Sequence, residues 1–135
     1  MKRIRYPMLP ILLPLFLLLC LPAATMAQSL TIETGVICTS VEERAPVGAD
    51  TTFSVTDETL SCFTKVTGAE DETTISHVWY WGEVERARVE LPIRGISWRT
   101  YTSKRIQVHE VGAWRVDILD AEGTVLKSVR FTVTP

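Results

Sequence analysis

From residue 28 onward, apolar and polar positions along the chain trade places at a period of two. Short runs rich in Val, Ile, Thr and aromatic residues are separated by Gly, Pro, Asp and Glu. That pattern predicts strands rather than helices. The first run covers residues 30–41, with Ile32, Val36 and Cys38 on one parity and Glu33 and Ile37 on the other. A turn region, 42–50, carries Arg44-Ala45-Pro46 and Gly48. The second run, 58–66, places Leu60, Cys62 and Val66 on one face, and an acidic loop follows over 68–73. The third, 74–81, ends at Gly82-Glu83, a hairpin turn by composition. The fourth, 84–93, sets Val89, Leu91 and Ile93 against Arg86, Arg88 and Glu90. A fifth spans 97–103. Gly112 precedes a sixth at 113–119, and Asp120-Ala121-Glu122-Gly123 turns the chain into a seventh at 125–133.

About seven strands at this spacing predict an all-β domain, an antiparallel sandwich immunoglobulin-like in general architecture. The connections are too short for helical crossovers, so neighbouring strands are expected to run antiparallel. No repeat or low-complexity segment interrupts the pattern.

The N-terminus follows a different logic. Lys2, Arg3 and Arg5 precede a strongly apolar stretch, 8–21, and small residues lead to Thr25-Met26-Ala27. Charge, apolar core and small-residue exit in that order are what export machinery reads. The expectation is a signal peptide over 1–27, cut after Ala27, and a single domain over 28–135 in the periplasm or outside the cell. The alternative is a retained anchor, but a span needs about 20 apolar residues, and Pro10 and Pro14 weaken this stretch as a helix. Cys20 follows Leu19, where a lipid-anchor signal would need a small residue.

Processing shifts the charge balance. The chain has 14 basic and 16 acidic residues; the signal holds three of the basic ones and no acid, leaving 11 against 16, a net −5. A nucleic-acid partner would want a basic patch, and this balance argues against one. No membrane span is expected after cleavage, and oligomeric state is not legible. Cys38 and Cys62 survive processing. In an oxidising compartment an even count invites a disulfide, contributing about 3 kcal/mol in the chain-entropy picture. The alternative is two buried free thiols.

Two groups of residues are candidates for binding. His77, Trp79 and Trp81 share one parity of the third run, which would offer an imidazole among rings able to stack on a sugar or a peptide. The alternative is a core histidine with its nitrogens satisfied, packed among tryptophans. Arg99, Tyr101 and Ser103 share the parity opposite Trp98, with Lys104 next to them. A planar guanidinium there suits a carboxylate or another anion. The alternative is an Arg stacked on an aromatic, or paired with Glu90 or Asp117.

Cys38, Cys62, His77 and His109 match no standard zinc spacing, and no metal or cofactor is expected. No nucleophile elbow, phosphate loop or zinc-protease motif is present. Only a hydrolase assembled in space from residues such as Ser103 and His77 would remain. The expected function is therefore a non-catalytic binding or interaction module for an envelope protein, peptide or glycan. A structural component pairing through an exposed strand edge is the alternative, and an envelope hydrolase a more distant one.

Three local patterns resemble one family: His77-Val78-Trp79; Trp98-Arg99-Thr100-Tyr101-Thr102-Ser103-Lys104; and Gly112-Ala113-Trp114-Arg115-Val116, continued by Gly123 and Phe131-Thr132-Val133. Upstream, Arg44-Ala45-Pro46 and Cys62-Phe63-Thr64 fit as well. The ordered set, from about residue 30 to 133, is similar to the bacterial domain family of unknown function numbered 2914. That resemblance implies a small β-rich domain, sometimes joined to membrane segments or other modules. It brings no catalytic or ligand residues.

Overall fold

A computed structural model describes residues 2–4, 7, 10, 14 and 29–135. The expected signal peptide and its cut after Ala27 lie outside the described residues apart from those few positions. Ten strands follow in order: β1 Thr31–Cys38, β2 Ser40–Glu42, β3 Ala45–Val47, β4 Thr52–Ser54, β5 Thr59–Thr67, β6 Thr73–Trp81, β7 Val84–Ile93, β8 Ser97–Arg105, β9 Gly112–Leu119 and β10 Val125–Thr134. The described residues form no α-helix, only a 3-10 turn at Val55–Asp57, so the all-β expectation holds.

All seven predicted runs are strands. Of the three short ones, β2 takes up the end of the first predicted run, which breaks at Thr39, while β3 lies in the expected turn region and β4 where no element was expected. Three residues are too few for alternation to register, and their partners are distant or supplied by a tight turn.

The strands form a three-stranded sheet, β1-β5-β8, a five-stranded sheet, β4-β10-β9-β6-β7, and the separate β2–β3 pair. Pairing is antiparallel except between β4 and β10, where Thr52, Phe53 and Ser54 run parallel to Thr132, Val133 and Thr134. Gly82-Glu83 is the two-residue turn between β6 and β7, with Trp81 opposite Val84 and Gly82 at φ 58°. The turn into β10 is held by Asp120, whose Oδ1 accepts from the backbone N–H of Glu122 and Thr124.

The two larger sheets supply a common core. Ile37, Leu60 and Cys62 from one sheet pack with Trp79, Trp114, Val116, Phe131 and Val133 from the other. A second cluster gathers Val66, Ala69, Ile75, Ile93 and Ile118. Along β5 and β6 the two clusters are separated by Thr64 and His77, both fully buried.

The face assignment of β1 departs from simple alternation. Its register against β5 shifts between Ile32 and Thr34. An extra residue in a strand reverses the face of everything beyond it. Ile32 and Ile37 therefore both pack inward despite opposite parity, while Cys38 goes outward.

This bulge settles the cysteines. Ile37 lies opposite Cys62, and Cys38 lies opposite Ser61. Residues directly opposite share a face and neighbours along a strand do not, so the two thiols project from opposite sides of one sheet. The expected disulfide is corrected: both cysteines are free and buried. Cys38 Sγ donates instead to the Ser61 carbonyl at 3.6 Å. Burial pushes the Cys62 thiol up to about 12 and raises Cys38 as well. A thiolate-seeking disulfide reagent is therefore expected to leave Cys38 and Cys62 unmodified in the native protein at pH 8 and to modify both after denaturation. Rapid native labelling of either would contradict this burial.

Candidate functional site

Strand parity distributes the candidate residues over different surfaces. His77 and Trp79 are consumed by the core, each with no exposed surface. His77 Nδ1 lies 2.7 Å from Thr102 Oγ1 and Nε2 lies 2.9 Å from Thr64 Oγ1. Trp79 Nε1 donates to the same Thr102 oxygen at 3.1 Å. Each hydroxyl can donate or accept, so a neutral imidazole is satisfied at both nitrogens. Burial lowers the His77 pKa to about 4. Trp81, half-buried at the end of β6, donates its indole N–H to the Val111 carbonyl at 2.9 Å and sets its ring edge-on to His109. Neither His77 nor Trp79 offers a ring to a ligand.

Ser103 also stands apart from His77. Its hydroxyl lies 2.8 Å from that of Ser61 on the outer side of the three-stranded sheet, whereas His77 contacts the inner side. Among the described residues, no group of three or more His, Cys, Asp or Glu is arranged to hold a metal ion. Lys104 shares the inner parity of β8 and donates to the Arg105 carbonyl at 2.7 Å.

Arg99, Tyr101 and Ser103 do come together on the outer face of the three-stranded sheet. They lie opposite Lys65, Phe63 and Ser61 of β5. The β2–β3 pair folds over this face and brings Arg44 to it, where Arg99 Nη1 reaches the Arg44 carbonyl at 3.5 Å. Two adjoining hollows result. One, of about 440 Å³, is lined by Arg44, Lys65, Ser97, Trp98 and Arg99. The other, of about 280 Å³, lies among Val41, Glu43, Arg44, Phe63, Arg99, Thr100 and Tyr101.

The charges of this face are weakly matched. Lys65 pairs with Glu33 at 3.1 Å, but among the described residues neither Arg44 nor Arg99 has an ion-pair partner. The expected alternatives for Arg99 are absent there: Asp117 lies in the other sheet, taken by Arg115 and Ser128. The five-stranded sheet treats several arginines differently. Arg88 pairs with Glu85, and Arg115 pairs with Asp117 and sits over the Tyr80 ring at 4.1 Å. Arg86 Nε lies 2.8 Å from Oε2 of fully buried Glu110, an oxygen contacted by charge without a well-aligned hydrogen bond.

The turn that delivers Arg44 is itself unusual. Glu42 lies opposite Ala45, so Glu43 and Arg44 form a two-residue loop, with φ 50° and 62°. Left-handed backbone at both positions is the tightest hairpin form, normally met by Asn-Gly. For side chains such as these it costs about 1 kcal/mol or more per residue. The sequence places a turn region here but not its two-residue hairpin form, because Glu43 and Arg44 are the wrong residues for that geometry. The weak signal for it was Val41 and Pro46, opposite each other across the turn, enclosing three charged residues, Glu42, Glu43 and Arg44.

Residues 72–133 match the family model described as "Protein of unknown function (DUF2914)". The resemblance read from the sequence is thus shown over that stretch. The matched segment begins just before β6 and runs through most of β10, so it contains the β6–β9 strands and Arg99, Tyr101 and Ser103. The Arg44 turn and β5 fall outside it, so the upstream motifs Arg44-Ala45-Pro46 and Cys62-Phe63-Thr64 lie beyond the matched stretch. No curated protein matches the chain.

Proposed function

We propose that residues 28–135 form an exported binding module of the periplasm or cell envelope, immunoglobulin-like in general architecture and non-catalytic. Its contact surface is the outer face of the three-stranded sheet, centred on Arg44 and Arg99, and its partners carry anionic groups. The observation that carries this reading is the strained Glu43-Arg44 turn. Local strain survives where the surrounding structure holds it for a purpose, and such sites cluster at binding surfaces. Here the strain places a second unpaired guanidinium beside Arg99, with Tyr101 at hand for stacking. Two planar guanidinium groups suit bidentate recognition of a carboxylate, sulfate or phosphate.

Arg44→Gly tests the reading through opposite effects on two measurements. Glycine relieves the left-handed backbone, so stability is expected to rise by about 1 kcal/mol. Retention of the protein on an anionic resin of immobilised carboxylate groups is expected to fall, and Arg99→Ala is expected to lower it without the gain in stability. Equal retention of wild type and both variants in low salt would sink the proposal.

A further inference from the structure

We infer that β8 takes the partner as an added strand: its free edge accepts an extended peptide whose carboxylates lie over Arg99 and Arg105. The inference rests on the binding-module reading and specifies how that face engages its ligand.

Hydrogen-bond parity identifies the edge. Ile106 N–H donates to the Glu58 carbonyl, and Gly68 N–H to the Ile96 carbonyl. The β5–β8 register is unbroken between these points. Pairs exchanging backbone bonds alternate with pairs that do not. The even-numbered residues of β8 therefore bond to β5, and Ser97, Arg99, Tyr101, Ser103 and Arg105 turn their N–H and C=O groups away from it. No strand among the described residues pairs with that side. All five residues are exposed, Tyr101 by 51%. Apart from the Arg105 carbonyl, which accepts from Lys104 Nζ at 2.7 Å, backbone groups and side chains of the same five residues thus reach solvent together: the former along the edge, the latter over the adjacent basic face.

Charge is common to β7 and β8, but the other edges carry further guards that β8 lacks. β7 carries Arg86, Arg88, Glu85 and Glu90, contains Pro92, and has a register shift opposite Trp79 and Tyr80. Charge, proline and bulges are the usual defences of an edge. β4 is only three residues long, and the far end of β1 is bridged through Ile37 and Asp50. β8 is nine residues long, unbulged and free of proline.

Charge selects the occupant. The residues that β8 presents are neutral or cationic: Ser97, Arg99, Tyr101, Ser103 and Arg105, with Arg44 alongside. Residues 28–135 together carry an excess of acid, whereas this strip carries none. In strand addition, main-chain bonds provide affinity and alternate side chains provide choice. An extended peptide with Glu or Asp at alternate positions puts all its carboxylates on one face, the period that β8 demands.

The test uses the purified protein and a synthetic octapeptide alternating Thr and Glu. Two further versions carry N-methyl groups on the odd or on the even residues, and dextran sulfate serves as a non-peptide polyanion. The expected result is binding of the parent peptide, at least tenfold weakening by one methylation pattern and little by the other. Amide exchange at Arg99, Tyr101 and Ser103, fast in the free protein, is expected to slow on binding. Equal binding of all three peptides, with Arg99→Ala still weakening them, would overturn strand addition while leaving an anion-binding face. Dextran sulfate binding with no peptide binding would do the same. Slow exchange at these amides in a free, dimeric protein would overturn it in favour of a second copy on the edge. Peptide binding indifferent to Arg99→Ala and Arg44→Gly would remove both the inference and the reading beneath it.

Discussion

Trp79→Ala is expected to lower the stability of the protein by about 4 kcal/mol. The side chain is fully buried between the two large sheets. Its ring meets Phe131 edge-on, 6.1 Å between centroids, and its indole N–H reaches Thr102 in the opposite sheet. Removal leaves a cavity lined by residues anchored in separate strands, which cannot close around it without moving a sheet. It also takes a donor from the Thr102 hydroxyl, at a further cost of about 1 kcal/mol. Domains of this size have about 5–15 kcal/mol in total, so the variant should sit near the edge of folding. Urea denaturation followed by tryptophan fluorescence or circular dichroism measures the change. A loss below about 1 kcal/mol, well short of the range for buried aromatic truncations, would show that Trp79 does not tie the sheets together.

The second large effect is on acid stability. Burial holds the His77 pKa at about 4 in the folded protein, whereas an unfolded histidine titrates near 6.5. Above pH 6.5 both states carry a neutral ring and this group adds no pH dependence. As pH falls below 6.5, the unfolded chain takes up a proton that the folded state refuses, so stability declines. The decline stops near pH 4, where the folded ring also protonates. Across that window the loss amounts to on the order of 3 kcal/mol. Carboxylates also titrate there, so the informative quantity is the difference from His77→Gln, which cannot gain the charge. The wild type is expected to lose more stability than the variant between pH 7 and pH 4, measured from denaturation midpoints at each pH. Parallel losses would show that His77 is not excluded from protonation by the fold.

How far the sequence could be read depends on which feature carried the information. The seven long runs were legible because each buries one face, and alternation is the direct trace of that. Gly82-Glu83 and Asp120–Gly123 were legible because their turns use the residues those turns require. The fate of Cys38 was not, because a bulge at Ile32–Thr34 leaves no mark in composition and reverses every face after it. The turn region around Arg44 was legible, but its two-residue hairpin form was hidden for the converse reason: that geometry is common and Glu43-Arg44 is an uncommon pair to adopt it.

The site shows the same division. Parity alone separated Arg99 and Tyr101 from Trp98, and the structure keeps them on opposite faces. Parity could not separate His77 and Trp79 from a binding surface, since an inward and an outward aromatic face look alike along one strand. What decided it was the opposite sheet, which supplies Thr102 from a strand more than twenty residues away. Arg44 was beyond reach, because its place beside Arg99 depends on a pair of strands too short to leave a pattern.

The polar belt of His77, Thr64 and Thr102 has a consequence for how the two sheets find their alignment. Hydrophobic alternation repeats every two residues, so sliding β6 by two positions against β5 and β8 would still set apolar faces together. It would also pull the imidazole off both threonine hydroxyls and strand their polar groups in the core, at roughly 1–3 kcal/mol for each one left unsatisfied. The belt thus acts as an index mark on an otherwise repetitive scale, and it makes one setting of the sheets cheaper than its neighbours.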